Sequence, residues 1–230
     1  MKAFILAAGR GERMRPLTDT TPKPLLIAGG KPLIVWHLER LAASGFREVI
    51  INHAHLGPQI ETALGNGQQF GLDIRYSPEP PGALETAGGI ANALPLLGRE
   101  SFLVVNGDIW CDWDFRRARA LTGRQAHLVF VDNPPQHASG DFCLDGETVR
   151  YASSGIGPAL TYAGTGVFSP QFFATVPAGT VMKMRPLLDA AIACGSVTGE
   201  RHAGHWVDVG TPERLAELDL EIRKELRQNP

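Results

Sequence analysis

Three features of the amino-acid sequence predict an α/β protein with a mixed, mostly parallel central sheet and helices on both faces. Short strand-like runs and helix-like segments alternate from residue 1 to about residue 132. The runs at residues 2–7 and 101–108 are almost wholly apolar, as strands covered on both faces are. Both end in glycine-containing turns, which sets candidate ligand loops at the carboxyl ends of the strands.

KAFILA (2–7) is the first strand. KPLIVWHLERLAASG (31–45) reads as a helix, with Pro32 near its start and Gly45 just past its end. REVIIN (47–52) and LDIRYS (72–77) are strands that flank a helix at GPQIETALGNG (57–67). TAGGIANALPLLG (86–98) is a helix weakened by glycine. SFLVVNGD (101–108) and AHLVFVD (126–132) are further buried strands.

The pattern changes after Pro134-Pro135. DFCLDGETVRYASSG (141–155) and ALTYAGTGVFS (159–169) read as strands joined by turns, a small β-rich part that continues the sheet. RPLLDAAIACG (185–195) is a helix with Pro186 in its first turn. TPERLAELDLEIRKELRQ (211–228) is another, capped by Thr211 with Pro212 at the first helical position. No repeat or linker divides the chain. A single domain over 1–230 is expected, with a ligand-binding half at 1–132 and a second half at 133–230 that includes the last helix.

A formal net charge of -2 over 230 residues gives no global basic field, so neither nucleic acid nor a membrane surface is an expected partner. AFILAAG is too short to span a membrane and lacks a signal-peptide core. Three cysteines without C-x-x-C spacing suit a reducing compartment, so a cytoplasmic location is expected.

Positive charge is instead local. AAGRGERMRPLTDTTPKP (7–24) gathers two glycines, three arginines and a lysine just after the first strand. Glycines let backbone N–H groups approach phosphates. Gly9 and Gly11 begin a dinucleotide fingerprint, but Met14 stands at its third glycine, and no P-loop is present. Arg13, Arg15 and Lys23 therefore suggest a polyphosphate with several charges to neutralise. The competing reading is a solvated basic loop, against which Pro16, Pro22 and Pro24 argue by stiffening the segment.

LAAGRGERMRPLTDTTPKPLL resembles the signature of sugar-1-phosphate nucleotidyltransferases, and the resemblance continues through VNGD (105–108), TYAGTGVFSP and WVDVGTPERL (206–215). It implies a nucleotide-diphospho-sugar transferase fold, which is Rossmann-like, with the triphosphate over the glycine loop. Leu6, Ala7, Ala8, Gly9, Gly11, Glu12 and Arg13 would line the nucleotide, and Arg15 and Lys23 would be the catalytic phosphate contacts. PEPPGALETAGGI (78–90) resembles the base-binding segment, with Glu79, Gly82, Thr86 and Gly88 as candidates; Thr86 also suits a helix N-cap.

Asp108 and Asp208 follow apolar runs and match the family's two metal aspartates, which implies Mg²⁺. Asp112 and Asp114 match no family position and suit solvated or capping roles. His53 and His55 lie on one face of an extended segment, but no third metal ligand is placed, so structural hydrogen bonds are expected. His202 and His205 read alike, with His205 near enough to Trp206 and Asp208 to line the site.

Sugar recognition departs from the family pattern. An E-K-P triplet is common in the family after the central strands, and here the stretch is YASSG. Asn106, Gly140, Asp141, Gly164 and Thr165 remain as sugar-phosphate candidates, with Lys183 and Arg185 as further cations. The short chain, ETAGG and the lost triplet most resemble members that uridylylate N-acetylmuramate 1-phosphate, so UTP and that sugar phosphate are the expected partners. Guanylyl transfer to mannose 1-phosphate, other hexose 1-phosphates, a non-catalytic regulator and a nicotinamide enzyme are the alternatives. No interface pattern stands out, and the oligomeric state is left open.

Overall fold

The computed structural model describes residues 1–228. Its elements are β1 (Ala3–Leu6), β2 (Ile27–Ala28), β3 (Lys31–Pro32), α1 (Leu33–Ala43), β4 (Glu48–His53), α2 (Gly57–Leu64), β5 (Asp73–Pro78) and α3 (Glu85–Leu97). Then follow β6 (Phe102–Asn106), β7 (Ile109–Cys111), β8 (Ala126–Val131), β9 (Phe142–Asp145), β10 (Thr148–Tyr151), β11 (Thr161–Phe168), α4 (Met184–Ala193), β12 (Val197–Arg201), β13 (Trp206–Asp208) and α5 (Pro212–Gln228).

Nine strands form one sheet in the order β5-β4-β1-β6-β11-β8-β12-β10-β9. β5, β4, β1 and β6 are mutually parallel. β11 runs antiparallel between β6 and β8, β12 returns parallel to β8, and only β10 reverses again. Seven of the nine strands thus share one direction, the exceptions being β10 and β11. One sheet runs through both halves of the chain, and the β-rich segment 142–151 is its edge hairpin.

The apolar strands are buried on both faces for the reason their sequences suggest. Side chains alternate along a strand, so an unbroken apolar run feeds two layers. Ala3 and Ile5 enter one core layer with Ile34, Leu38 and Ile60 of α1 and α2, while Phe4 enters the other with Ala87 and Ile90 of α3. Leu103 and Val105 divide from Phe102 and Val104 in the same way.

A third, smaller core joins Met14, Leu26, Ala28 and Leu33 to Val209, Leu215, Leu218 and Ile222. Met14, which breaks the dinucleotide fingerprint, is fully buried there. It pins the basic loop down on α5.

Short β-elements escaped the sequence reading: β2 and β3, which pair with each other, β7 and β13, which do likewise, and β12. The N-cap of α3 is a correction. The helix begins at Glu85 with Leu84 in the cap position, so Thr86 already lies in the first turn. Thr211 does cap α5, its hydroxyl accepting from the Arg214 N–H at 3.4 Å.

Candidate active site

β1 and β6 end side by side and in register, Leu6 opposite Asn106. Gly107 donates its N–H to the Leu6 carbonyl at 2.8 Å. A Cβ at Gly107 would lie 2.7 Å from that oxygen, so only glycine lets the two strand ends meet this closely. Beyond them opens a cleft of about 340 Å³. The opening loop lines it with Leu6, Ala7, Ala8, Gly9, Arg10, Lys23 and Pro24, and the 79–86 segment with Glu79, Gly82, Ala83, Glu85 and Thr86. Asn52 and the turn Asn106, Gly107 and Asp108 complete it.

The opening loop holds its shape through its own groups. Gly11 sits at φ 70°, and its carbonyl accepts from the buried Thr18 hydroxyl at 2.8 Å. Arg10 donates to the Thr18 carbonyl at 2.7 Å and to Asp19 at 2.8 Å. Arg15 reaches the same Asp19 at 2.9 Å. The Arg10 hydrogen bond, with help from Arg15, holds the Asp19 carboxyl below the usual carboxylate range.

Lys23 is 7% exposed, and its Nζ lies 2.6 Å from Asp108 Oδ2. Asp208 is set beside this pair by strand pairing, since β13 runs against β7 and the Val209 N–H donates to the Asp108 carbonyl at 2.9 Å. Arg214 forms an ion pair with Asp208. A Cβ at Gly210 would lie 2.6 Å from the Arg214 guanidinium, 3.0 Å from that of Arg13 and 3.1 Å from Asp208, so glycine lets both arginines gather at this acid. Asp108, in the turn before β7, and Asp208, at the end of β13, are each held by a cationic side chain and carry oxygens of the hard kind that a divalent cation takes.

The two cleft walls are tied through Asn52, which is 1% exposed. Its Oδ1 accepts from the Ala7 N–H at 2.7 Å, and its Nδ2 donates to Glu79 Oε1 at 2.6 Å. Glu79 Oε2 in turn accepts from the Leu84 N–H at 2.7 Å. Behind that loop, the Met182 carbonyl accepts from the N–H groups of Ala87 and Gly88, and its N–H donates to the Leu84 carbonyl. A Cβ at Gly88 would lie 2.1 Å from the Thr180 carbonyl, so this glycine serves close packing.

The structure gathers Leu6, Ala7, Ala8, Gly9, Lys23, Glu79, Gly82, Thr86, Asn106 and Asp108 in the cleft. Glu12 lines an adjoining hollow that shares Ala8, Arg10, Glu79, Gly82 and Ala83 with it. Arg15 is more than half exposed and stays with Asp19, and Arg13 lies by Asp208 and Gly210. Gly164 packs against the Asn106 side chain, which leaves 3.0 Å or less for any Cβ there.

Thr165 is fully buried opposite Val105. Asp141 accepts from the Tyr162 N–H at 2.8 Å and faces His137 at 3.0 Å, and Gly140 turns against Asn133. Of the expected site residues, Gly11, Glu12, Arg13, Arg15, Gly88, Gly140, Asp141, Gly164, Thr165 and Asp208 are outside the cleft lining.

The histidines follow the structural reading. His53 faces Glu61 at 2.7 Å and His55 faces the Thr18 carbonyl at 2.9 Å. His205 pairs with Glu221 and does not line the cleft, against the expectation that it would. Asp114 caps the turn at Phe115–Leu121, and Asp112 meets His202.

Sequence reasoning missed Arg10, Asn52, Glu85, Gly107 and Arg214. Arg10 carried a usable signal, being a further cation on the loop. Asn52 carried only a polar residue at a strand end.

The chain belongs to the sugar-1-phosphate nucleotidyltransferases, a class of α/β enzymes. Residues 2–143 match the Nucleotidyl transferase family model. The chain is 55% identical to N-acetylmuramate alpha-1-phosphate uridylyltransferase of Neisseria meningitidis serogroup B, over 94% of this chain and 96% of that protein. It is 35% identical to the protein of the same name from Caulobacter vibrioides, over 96% of each. In fold it matches the crystal structure of HddC from Yersinia pseudotuberculosis complexed with GMP-PN, with a TM-score of 0.78 and 21% identity over 96% of this chain and 98% of that one. None of the described helices is long and apolar enough to cross a membrane.

Proposed function

We propose that this protein transfers the uridylyl group of UTP to N-acetylmuramate 1-phosphate, giving UDP-N-acetylmuramate and pyrophosphate. The observation that carries this reading is the 55% identity along nearly the whole of both chains, shared with the Neisseria uridylyltransferase. We place the reaction in the cytoplasm, in the recycling of cell-wall sugars. The chain acts as a single domain, its first half (1–132) holding nucleotide and its second (133–230) completing the sugar side.

A phosphate monoester has a second pKa of about 6, so the sugar phosphate is already an anionic nucleophile at neutral pH. One of its oxygens forms the new bond to the α-phosphorus while the bond to the β-phosphate oxygen breaks, and that electron pair leaves with pyrophosphate. No general base is needed. The protein's task is to align anions and offset their charge.

In this reading Gly9 and Gly11 admit the nucleotide to the loop backbone. Lys23 moves from Asp108 to the α-phosphate. Arg15, exposed and held only by surface acids, turns to the leaving pyrophosphate, and Arg10 supports it from the cleft wall. Asp108 and Asp208 are the groups that would hold Mg²⁺, which supplies Lewis-acid charge to the phosphates when bound. Glu79, Gly82 and Thr86 shape the base wall, while Asn106, with Gly164 packed behind it, shapes the sugar side.

The test is pyrophosphate release with Mg²⁺ across UTP, GTP, CTP and dTTP, each paired with the 1-phosphates of N-acetylmuramate, glucosamine, mannose and glucose. Release with UTP and N-acetylmuramate 1-phosphate above every other pair is expected. Preference for GTP with mannose 1-phosphate would replace the substrates and keep the family. Silence in all pairs with nucleotide still bound would make the chain a non-catalytic binder.

A further inference from the structure

We propose that Glu85 is a specificity residue whose carboxylate accepts hydrogen bonds from the ribose hydroxyls of the bound nucleotide, so that the protein separates ribonucleotides from 2′-deoxyribonucleotides. This rests on the nucleotide reading above.

Glu85 lines the cleft in a left-handed backbone conformation, φ 61°. For a residue with a Cβ this is a strained conformation. The conformation is imposed from both sides. Glu79 takes the Leu84 N–H, and Met182 takes the N–H groups of Ala87 and Gly88. Ala83, two residues earlier, is also left-handed at φ 58°. A glycine would adopt this turn without strain, yet a long acidic side chain stands here.

The cleft has three acidic residues, Glu79, Glu85 and Asp108. Glu79 spends both oxygens on Asn52 and Leu84, and Asp108 is paired with Lys23. Among the described residues the exposed Glu85 has no hydrogen-bond or ion-pair partner, so it is the one acid of the cleft lining with both oxygens unpartnered. A carboxylate repels phosphate, so its partner belongs to the nucleoside. Uracil offers a single N–H flanked by two carbonyl oxygens that a carboxylate would face unfavourably. A ribose 2′,3′-diol offers two adjacent O–H donors and no competing negative edge, which is the match for an acidic acceptor.

The experiment measures binding of UTP and dUTP to the whole protein by calorimetry, then kcat/KM for both with N-acetylmuramate 1-phosphate, for wild type, Glu85→Gln and Glu85→Gly. A hydrogen bond to a charged acceptor supports a preference for UTP of about tenfold or more in the wild type. Glu85→Gly is expected to bring the two nucleotides within about threefold without lowering Tm, and Glu85→Gln to fall between. Equal binding of UTP and dUTP by the wild type, or the same ratio in all three proteins, would overturn the proposal. Because the ratio is read in binding, a UTP preference without turnover on the muramate sugar sinks the substrate reading and leaves the Glu85 contact standing.

Discussion

Lys23 and Asp108, 85 residues apart in sequence, meet at 2.6 Å where the opening loop faces the end of β6. The lysine is nearly buried and the aspartate more open, so a positive charge is held at the cleft beside a carboxylate. Lys23→Met and Asp108→Asn should each lower kcat/KM for nucleotidyl transfer by about 100-fold or more, with the double variant far from additive. Asp108→Asn should also cost roughly 1–3 kcal/mol of stability, because it leaves an almost buried ammonium without a counter-charge. Steady-state kinetics and urea midpoints read the two effects; near-wild-type turnover in either single variant would remove that residue from the mechanism.

Asn52 joins the two walls of the cleft through Ala7 and Glu79. Asn52→Ala leaves the Ala7 N–H without its buried acceptor, at about 1–3 kcal/mol. The loop at 80–84 then loses its anchor, so KM for UTP should rise more than kcat falls. A unchanged KM would show that Glu79 holds the loop unaided.

Gly89→Ala is a test of sign. Helix propensity alone favours alanine by about 1 kcal/mol. The added Cβ, however, would lie 2.4 Å from Glu79 Oε1 and 2.8 Å from Asn52 Nδ2. Steric displacement should win, with a net loss of about 1–3 kcal/mol and weaker nucleotide binding. A rise in Tm would mean that the Asn52–Glu79 link gives way cheaply.

His37 of α1 is fully buried, and neither ring nitrogen has a hydrogen-bond partner. Burial, reinforced by the Arg40 cation, holds its imidazole down at about 4. The folded protein therefore keeps it neutral, while the unfolded chain takes up a proton below about 6.5. Its contribution to stability is complete above pH 6.5 and shrinks as pH falls toward 4, by roughly 3 kcal/mol for the whole interval. His37→Leu should flatten urea stability between pH 6.5 and 4 relative to the wild type. An equally steep loss in that variant would assign the acid sensitivity to other groups.

The alternating halves of the sheet were legible because strands such as Phe102–Asn106 carry their burial in unbroken apolar runs and helices such as Leu33–Ala43 carry it at helical spacing. β12 was not, because VTGER has one apolar residue, and its place beside β8 depends on a partner some 70 residues away. The loop glycines and Lys23 were legible from one compact motif. The aim of each loop arginine was not, since Arg10, Arg13 and Arg15 lie within six residues yet go to Thr18 and Asp19, to the Asp208 cluster and to Asp19 and Glu12. Asn52 and Glu85 owe their places at the cleft to a distant amide and to a backbone torsion, neither of which residue type records.

The third core gives the opening loop a floor made of distant sequence. Met14 and Leu33 rest on Leu215, Leu218 and Ile222 of α5, and Asp219 accepts the Gly29 N–H at 2.8 Å. On the ribosome the glycine-loop end of the cleft is made before its support, which emerges some two hundred residues later. A nascent chain therefore carries the signature of the site before it has the site, and translation complexes stalled before residue 210 should capture no UTP.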